Sequence, residues 1–286
     1  MMIKLDIKKR LFTTNGHVDL DVDIKIKKNE FVALSGVSGS GKTTLLRVLA
    51  GLEEASGEID VFGSKWLSSK KVLPPQERGI GFVFQDYALF PNMNVLQNLL
   101  FVSKDIKLAE HLLELTGLSE LKERFPHMLS GGQRQRVSLC RALMKRPKVL
   151  LMDEPLSALD PEMRTKLQHD ILRLHKEFDT TTIMVSHDPS EMYRLASRVL
   201  VLDHGKIIKE GLAKDILLKT QGSQKFTLQG ELLDIKKADV IYIAIVAIGQ
   251  QIVEIVLDSN EAKSFKIGQS VQVSTKAFSP SLSDIK

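Results

Sequence analysis

Residues 36–43 read Gly-Val-Ser-Gly-Ser-Gly-Lys-Thr, and no other stretch so limits what this chain can fold into. They satisfy G-x-x-x-x-G-K-[ST] at every fixed position. The flanks agree with the motif. Phe31-Val32-Ala33-Leu34 ahead of the loop predicts a strand, and Thr44-Leu45-Leu46-Arg47-Val48-Leu49-Ala50 behind it predicts a helix. Strand, glycine-rich loop and helix together make a phosphate cradle. Gly36, Gly39 and Gly41, with Ser38 and Ser40 between them, let backbone N–H groups close around an anion. The helix opening at Thr44 turns its positive end toward that anion. Lys42 is expected to reach β- and γ-phosphates, and Thr43 to offer its hydroxyl to Mg²⁺.

Such a loop binds nucleotide; hydrolysis needs more. Val149-Leu150-Leu151-Met152 is an apolar run ending in Asp153-Glu154. Asp153 is placed to hold Mg²⁺ through its water shell, and Glu154 to polarise the attacking water as general base.

Bulk properties bound the setting. A chain of 286 residues accommodates one large domain or two smaller ones. Apolar runs such as Val240–Ile248 are too short to span a bilayer. The opening Met1-Met2-Ile3-Lys4-Leu5-Asp6 carries no secretory apolar core. The single cysteine, Cys140, excludes an internal disulfide and reads as a small buried hydrophobe. These features agree on the cytoplasm. The net charge of +5 is spread among 35 acidic residues, which describes a solvated surface and argues against nucleic acid as a partner.

Two kinds of strand are legible. Ile3–Ile7 and Leu20–Ile26 alternate at period two, as in a half-exposed antiparallel sheet. Phe31–Leu34, Val149–Met152, Ile183–Val185 and Val199–Leu202 are continuously apolar and followed by helices, as in a parallel sheet covered on both faces. His204-Gly205 predicts a hairpin turn. Residues 86–124 read as a helical insert, with helices at Val95–Phe101 and Leu108–Leu115. Asp160 and Pro161 predict a helix start. Composition shifts near Thr220–Gln224. Beyond it, Phe226–Ile235, Val240–Ile248, Gln251–Leu257 and Val271–Thr275 predict a separate small β-barrel.

Leu129-Ser130-Gly131-Gly132-Gln133-Arg134-Gln135-Arg136 resembles the signature sequence of ABC-transporter ATPases. On its own residues it opens a helix and presents a second anion-binding N-terminus. The resemblance implies that Ser130, Gly131, Gly132 and Gln133 close over ATP held by a partner copy, in a head-to-tail dimer with two sites. Other motifs follow in family order. Gln85, within Gly81–Asp86, resembles the glutamine that senses Mg²⁺ and water. Ser157-Ala158-Leu159-Asp160 resembles the loop that crosses the dimer interface. His187, within Met184–Asp188, resembles the switch histidine on the γ-phosphate. Adenine stacks on an aromatic of the first loop in the family, and Phe12 is the candidate here.

The implied fold is α/β. It has a P-loop NTPase (RecA-like) core with an antiparallel β subdomain and a helical insert near 86–147, all within 1–221. A small OB-like β-barrel of the TOBE/Mop type takes up 222–286. Pro74–Pro91 is similar to importer ATPases for oxyanions, polyamines, ferric iron and sugars. The short insert and the Phe265–Leu282 ending resemble the molybdate/tungstate importers. Those imply permease subunits in the membrane, a location on its cytoplasmic face, and indirectly a solute-binding protein. Ser274, Thr275, Lys276 and Ser279 are candidate oxyanion donors. A sulfate, ferric-iron, polyamine or sugar importer is the neighbouring alternative. A soluble ABC ATPase acting on nucleic acid or ribosomes is the distant one; a long heptad insertion or a second cassette would mark it, and neither is present.

Overall fold

The computed structural model describes residues 1–13, 16–157, 159–217, 225–238, 241–249 and 251–276. They divide into two compact units, Met1–Lys219 and Thr220–Lys286.

The first unit opens with strands β1 (Met2–Thr13) and β2 (Gly16–Lys27), paired antiparallel in continuous register from Met2↔Lys27 onward. Leu20, Val22, Ile24 and Ile26 are buried while the residues between them are exposed, as the alternation predicts. β3 (Phe31–Ser35) leads through the glycine-rich loop into α1 (Lys42–Ala50). Strands β4 (Ser56–Val61), β5 (Ser64–Ser68) and β6 (Lys71–Val72) complete a five-stranded sheet ordered β2-β1-β4-β5-β6. Sequence periodicity did not reveal these last three.

The remaining elements build the central sheet and its cover. β7 (Ile80–Val83) is followed by α2 (Val95–Val102), α3 (Ile106–Leu115) and α4 (Gly131–Leu143). Then come β8 (Val149–Asp153), α5 (Pro161–Glu177), β9 (Thr181–Val185), α6 (Pro189–Leu195), β10 (Arg198–Asp203), β11 (Lys206–Leu212) and α7 (Ala213–Leu217). The sheet runs β11-β10-β3-β9-β8-β7 and is parallel from β10 to β7. β11 returns antiparallel through His204 and Gly205, both at positive φ (43° and 79°), the geometry of a tight hairpin.

Both faces of this sheet are covered. Phe31, Ala33, Leu150, Met152 and Met184 join a core with α2–α6, whereas Val32, Leu34, Val149, Leu151, Ile183 and Val185 join one with α1 and the antiparallel sheet. Adjacent residues of one strand therefore enter opposite cores, which is why these strands read as unbroken apolar runs.

The second unit is an antiparallel half-barrel. Strands β12 (Lys225–Ala238), β13 (Ile241–Ile248), β14 (Gln251–Leu257) and β15 (Ser270–Lys276) are ordered β14-β13-β12-β15, with α8 (Ser259–Ser264) between the last two in sequence. Leu232, Ala244 and Val246 form its core. Ser279 and the rest of 277–286 lie outside the described residues, as do Val240 and all of 220–224, and the side chains of Ser274, Thr275 and Lys276 are likewise not described.

Candidate functional site

Four neighbouring parallel strands deliver their next residues to one place. β3 leads to Gly36, β9 to His187, β8 to Glu154 and β7 to Gln85. Ligands of open α/β sheets bind beyond such carboxyl ends. A cavity of about 540 Å³ lies there, lined by Gly36, Ser38, Gly39, Gly41, Lys42, Thr43 and Thr44 together with Gln85, Glu154 and His187. Leu11 and Phe12 of β1 line it too. Phe12 is 86% exposed, so its ring is available to an incoming flat group.

The loop is built for backbone exposure. Gly41 caps α1 at φ 103°, a conformation that costs a side-chain-bearing residue strain, and no side chain caps this helix end. The first N–H groups of α1 are thus left for a ligand. Gly36 has φ 145°, and a Cβ there would lie 1.9 Å from the carbonyl oxygen of Leu202. Lys42 folds back so that its Nζ donates to the carbonyls of Gly36 and Val37, both at 2.8 Å. Burial pushes the Lys42 ammonium pKa down, against the pull of Glu154 and Asp153. An anionic ligand would relieve that penalty. Ser40 is buried, and among the described residues its Oγ has no hydrogen-bond partner.

The two carboxylates stand in different surroundings. Thr43 Oγ1 donates to Asp153 Oδ1 at 3.1 Å. Burial raises the Asp153 pKa, and the Thr43 hydrogen bond opposes it. A threonine hydroxyl beside a carboxylate is the hard-oxygen pair that Mg²⁺ accepts with a phosphate. The buried, unpartnered Ser40 Oγ in the same loop and the cationic Lys42 suit the accompanying polyanion. Glu154 has φ 45°, rare for a residue with a side chain, and its Oε1 lies 3.7 Å from His187 Nδ1. Gln85 joins them on the cavity wall.

The signature segment is elsewhere. None of Ser130–Gln133 lines this cavity. Ser130 caps α4: its Oγ accepts from Gln133 N at 3.3 Å, and Gln133 Oε1 accepts from Ser130 N at 2.8 Å. The Ser130 hydroxyl proton remains available to donate outward. Gly132 packs so closely on Met163 that a Cβ would meet its sulfur at 3.0 Å. Asp160 caps α5 by accepting from Met163 N at 2.9 Å. Ala158 lies outside the described residues.

Two contributors were not read from sequence. Leu11 walls the cavity beside Phe12. Asn98 is fully buried, and its Oδ1 accepts from Phe90 N while its Nδ2 donates to the carbonyls of Phe90, Met93 and Asn94. It fastens the segment after Gln85 onto α2. A lone asparagine in a helical pattern gives no warning of this, because all its partners lie in an irregular loop.

The ABC transporter family profile matches residues 20–157. A sulfate/thiosulfate import ATP-binding protein of Agrobacterium fabrum is 42% identical over 78% of this chain and 67% of its own length. A molybdenum import ATP-binding protein of Azotobacter vinelandii is 44% identical over 70% of this chain and 58% of its own. A probable sulfate/thiosulfate import ATP-binding protein of Chlorella vulgaris is 45% identical over 68% of this chain and 85% of its own. The chain thus spans between about half and two thirds of the length of bacterial relatives such as these. Among solved structures, an ATP-binding cassette seen as a dimer bound to ADP and Pi superposes with TM-score 0.63 at 28% identity, covering 74% of this chain and 99% of that one. A cassette of Clostridium perfringens from a transporter complex gives 0.66 at 30%, covering 75% and 89%. No helix among the described residues is long and apolar enough to cross a membrane. With relatives of this identity and coverage, the chain belongs to the ABC transporter family of ATP-binding proteins.

Proposed function

We propose that this chain is the ATP-hydrolysing motor of an importer for a tetrahedral oxyanion, docked on permease subunits at the cytoplasmic face of a membrane. The observation that carries the reading is the convergence of the glycine-rich loop, Gln85, Glu154 and His187 on one cavity at the carboxyl edge of the parallel sheet.

In this reading the loop N–H groups and Lys42 grip the β- and γ-phosphates, and Phe12 offers its exposed ring to adenine. Thr43, Asp153 and Gln85 would hold Mg²⁺, which when bound neutralises phosphate charge. Glu154 accepts the proton of the water that attacks the γ-phosphorus. His187 steadies the γ-phosphate from the other side of Glu154. Ser130 and the α4 N-terminus of a second copy complete the site from outside. A cassette of this fold has a dimeric structure bound to ADP and Pi, which supports that arrangement.

The cargo reading rests on two supports of unequal weight. Relatives named for sulfate/thiosulfate, molybdenum and Fe(3+) import share the cassette. Molybdate is favoured here by the short helical insert and by the likeness of Phe265–Leu282 to the molybdate type of barrel. Reconstituting the chain with its permease and binding protein in vesicles tests this. Turnover stimulated by molybdate above sulfate supports the finer reading. Sulfate stimulation alone replaces it with a sulfate importer, and stimulation by neither anion removes the oxyanion reading.

A further inference from the structure

The mechanism above leaves one charged cluster unused. Arg164 lies on α5, one turn beyond the Asp160 cap. Its Nη2 donates to the Leu159 carbonyl at 3.2 Å, and its Nη1 donates to Asp188 Oδ2 at 3.3 Å. Its Nε stands 3.6 Å from Glu191 Oε1. One guanidinium thus makes two hydrogen bonds, to Leu159 and Asp188, and a longer ion pair to Glu191, joining the start of α5 to the start of α6.

His187 is held between the same partners. Before it, Ser186 is buried and its Oγ donates to Glu191 Oε2 at 2.6 Å. After it, Asp188 N donates back to Ser186 Oγ at 3.1 Å, and Asp188 Oδ1 caps α6 by accepting from Ser190 N at 2.7 Å. Glu154 and His187 line one small cavity with Arg164, Asp188 and Glu191. Glu191 is 5% exposed. A carboxylate at that depth demands a cation, and Arg164 is the cation beside it.

We propose that Arg164 is a positioning residue that ties the Leu159–Asp160 stretch to the backbone on either side of His187, so that a shift of one moves the other. The fork geometry of a guanidinium suits this, since it fixes direction as well as charge. Arg164 touches no reacting atom. It sets where the imidazole stands relative to Glu154, and an error of that kind lowers the chemical step with little effect on nucleotide binding. The proposal rests on the ATPase reading.

Simple loss of stability must be separated from loss of position. Arg164→Met removes the link and also strands the buried Glu191 charge. Arg164→Met/Glu191→Gln removes the link without the stranded charge and keeps an acceptor for Ser186. Melting temperature, kcat and KM for ATP are measured on the full chain for wild type and both variants. The expected result is a fall in kcat of about tenfold or more in both variants, with KM within about twofold. The melting temperature falls in the single variant and recovers in the double. Recovery of kcat together with melting temperature would overturn the proposal, as would a single variant that turns over at the wild-type rate. A wild-type chain without ATP turnover would overturn the ATPase reading as well.

Discussion

Glu154 sits at φ 45°, a backbone region costing a residue with a side chain about 1 kcal/mol or more, and its carboxylate faces His187 at 3.7 Å. Strain tolerated at such a point fits a general base held for one task. Glu154→Gln is expected to keep ATP affinity, measured by calorimetry, while turnover falls by about a hundredfold or more. Its place was legible because Asp153-Glu154 ends an apolar run. Its strain was not, because φ follows from the turn that β8 makes on leaving the sheet. Cys140 shows the same division. Its burial was readable from a helical pattern, but the size of the effect needed the structure: burial pushes the thiol up to about 12. The unfolded chain releases that proton near pH 8.5. Stability from this group is therefore complete below about pH 8.5 and is lost as pH rises toward 12, by at most about 1.4 kcal/mol per pH unit. Native protein at pH 8 should not react with a thiol reagent, whereas denatured protein should yield one thiol per chain.

At the scale of elements, the strands that carry the site were the most legible part. β3, β8 and β9 are buried along nearly their whole length, and nothing but apolar residues and threonine fills them until their ends. β4 and β5 escaped notice for a physical reason. β4 buries only Ile59 and Val61, and β5 buries the adjacent Trp66 and Leu67, which breaks any alternation. The loop after β7 was equally opaque, because Asn98 organises it through backbone groups. Asn98→Ala should cost about 2–3 kcal/mol, since several buried loop groups lose partners together. A urea midpoint lowered without a change in slope would show it. Gly36→Ala should damage the phosphate loop itself. A Cβ 1.9 Å from the Leu202 carbonyl cannot be accommodated without moving the β3–β10 pair. Nucleotide affinity, read by calorimetry, is expected to fall by about tenfold or more.

For the whole molecule, the proposed reading makes the site of one chain half a site. The cavity has the loop, the carboxylates and the histidine on its walls, and the capped N-terminus of α4 is not among them. Ser130 nevertheless keeps a donor proton after its own cap is made. The motif order alone suggested that incompleteness, and the proposed dimer is what would complete it. The half-barrel of the second unit was legible as strands, since β13 is apolar along its length, but its open form depended on pairing order that no single strand encodes. The central claim is that ATP joins Gly36–Thr43 of one copy to Ser130–Gln133 of another. Sedimentation equilibrium of Glu154→Gln with Mg²⁺, with and without ATP, tests it most directly. The account predicts a mass of 32.0 kDa without nucleotide, twice that with ATP, and no doubling when Ser130→Phe is added. A Glu154→Gln chain that binds ATP and stays at 32.0 kDa would contradict it.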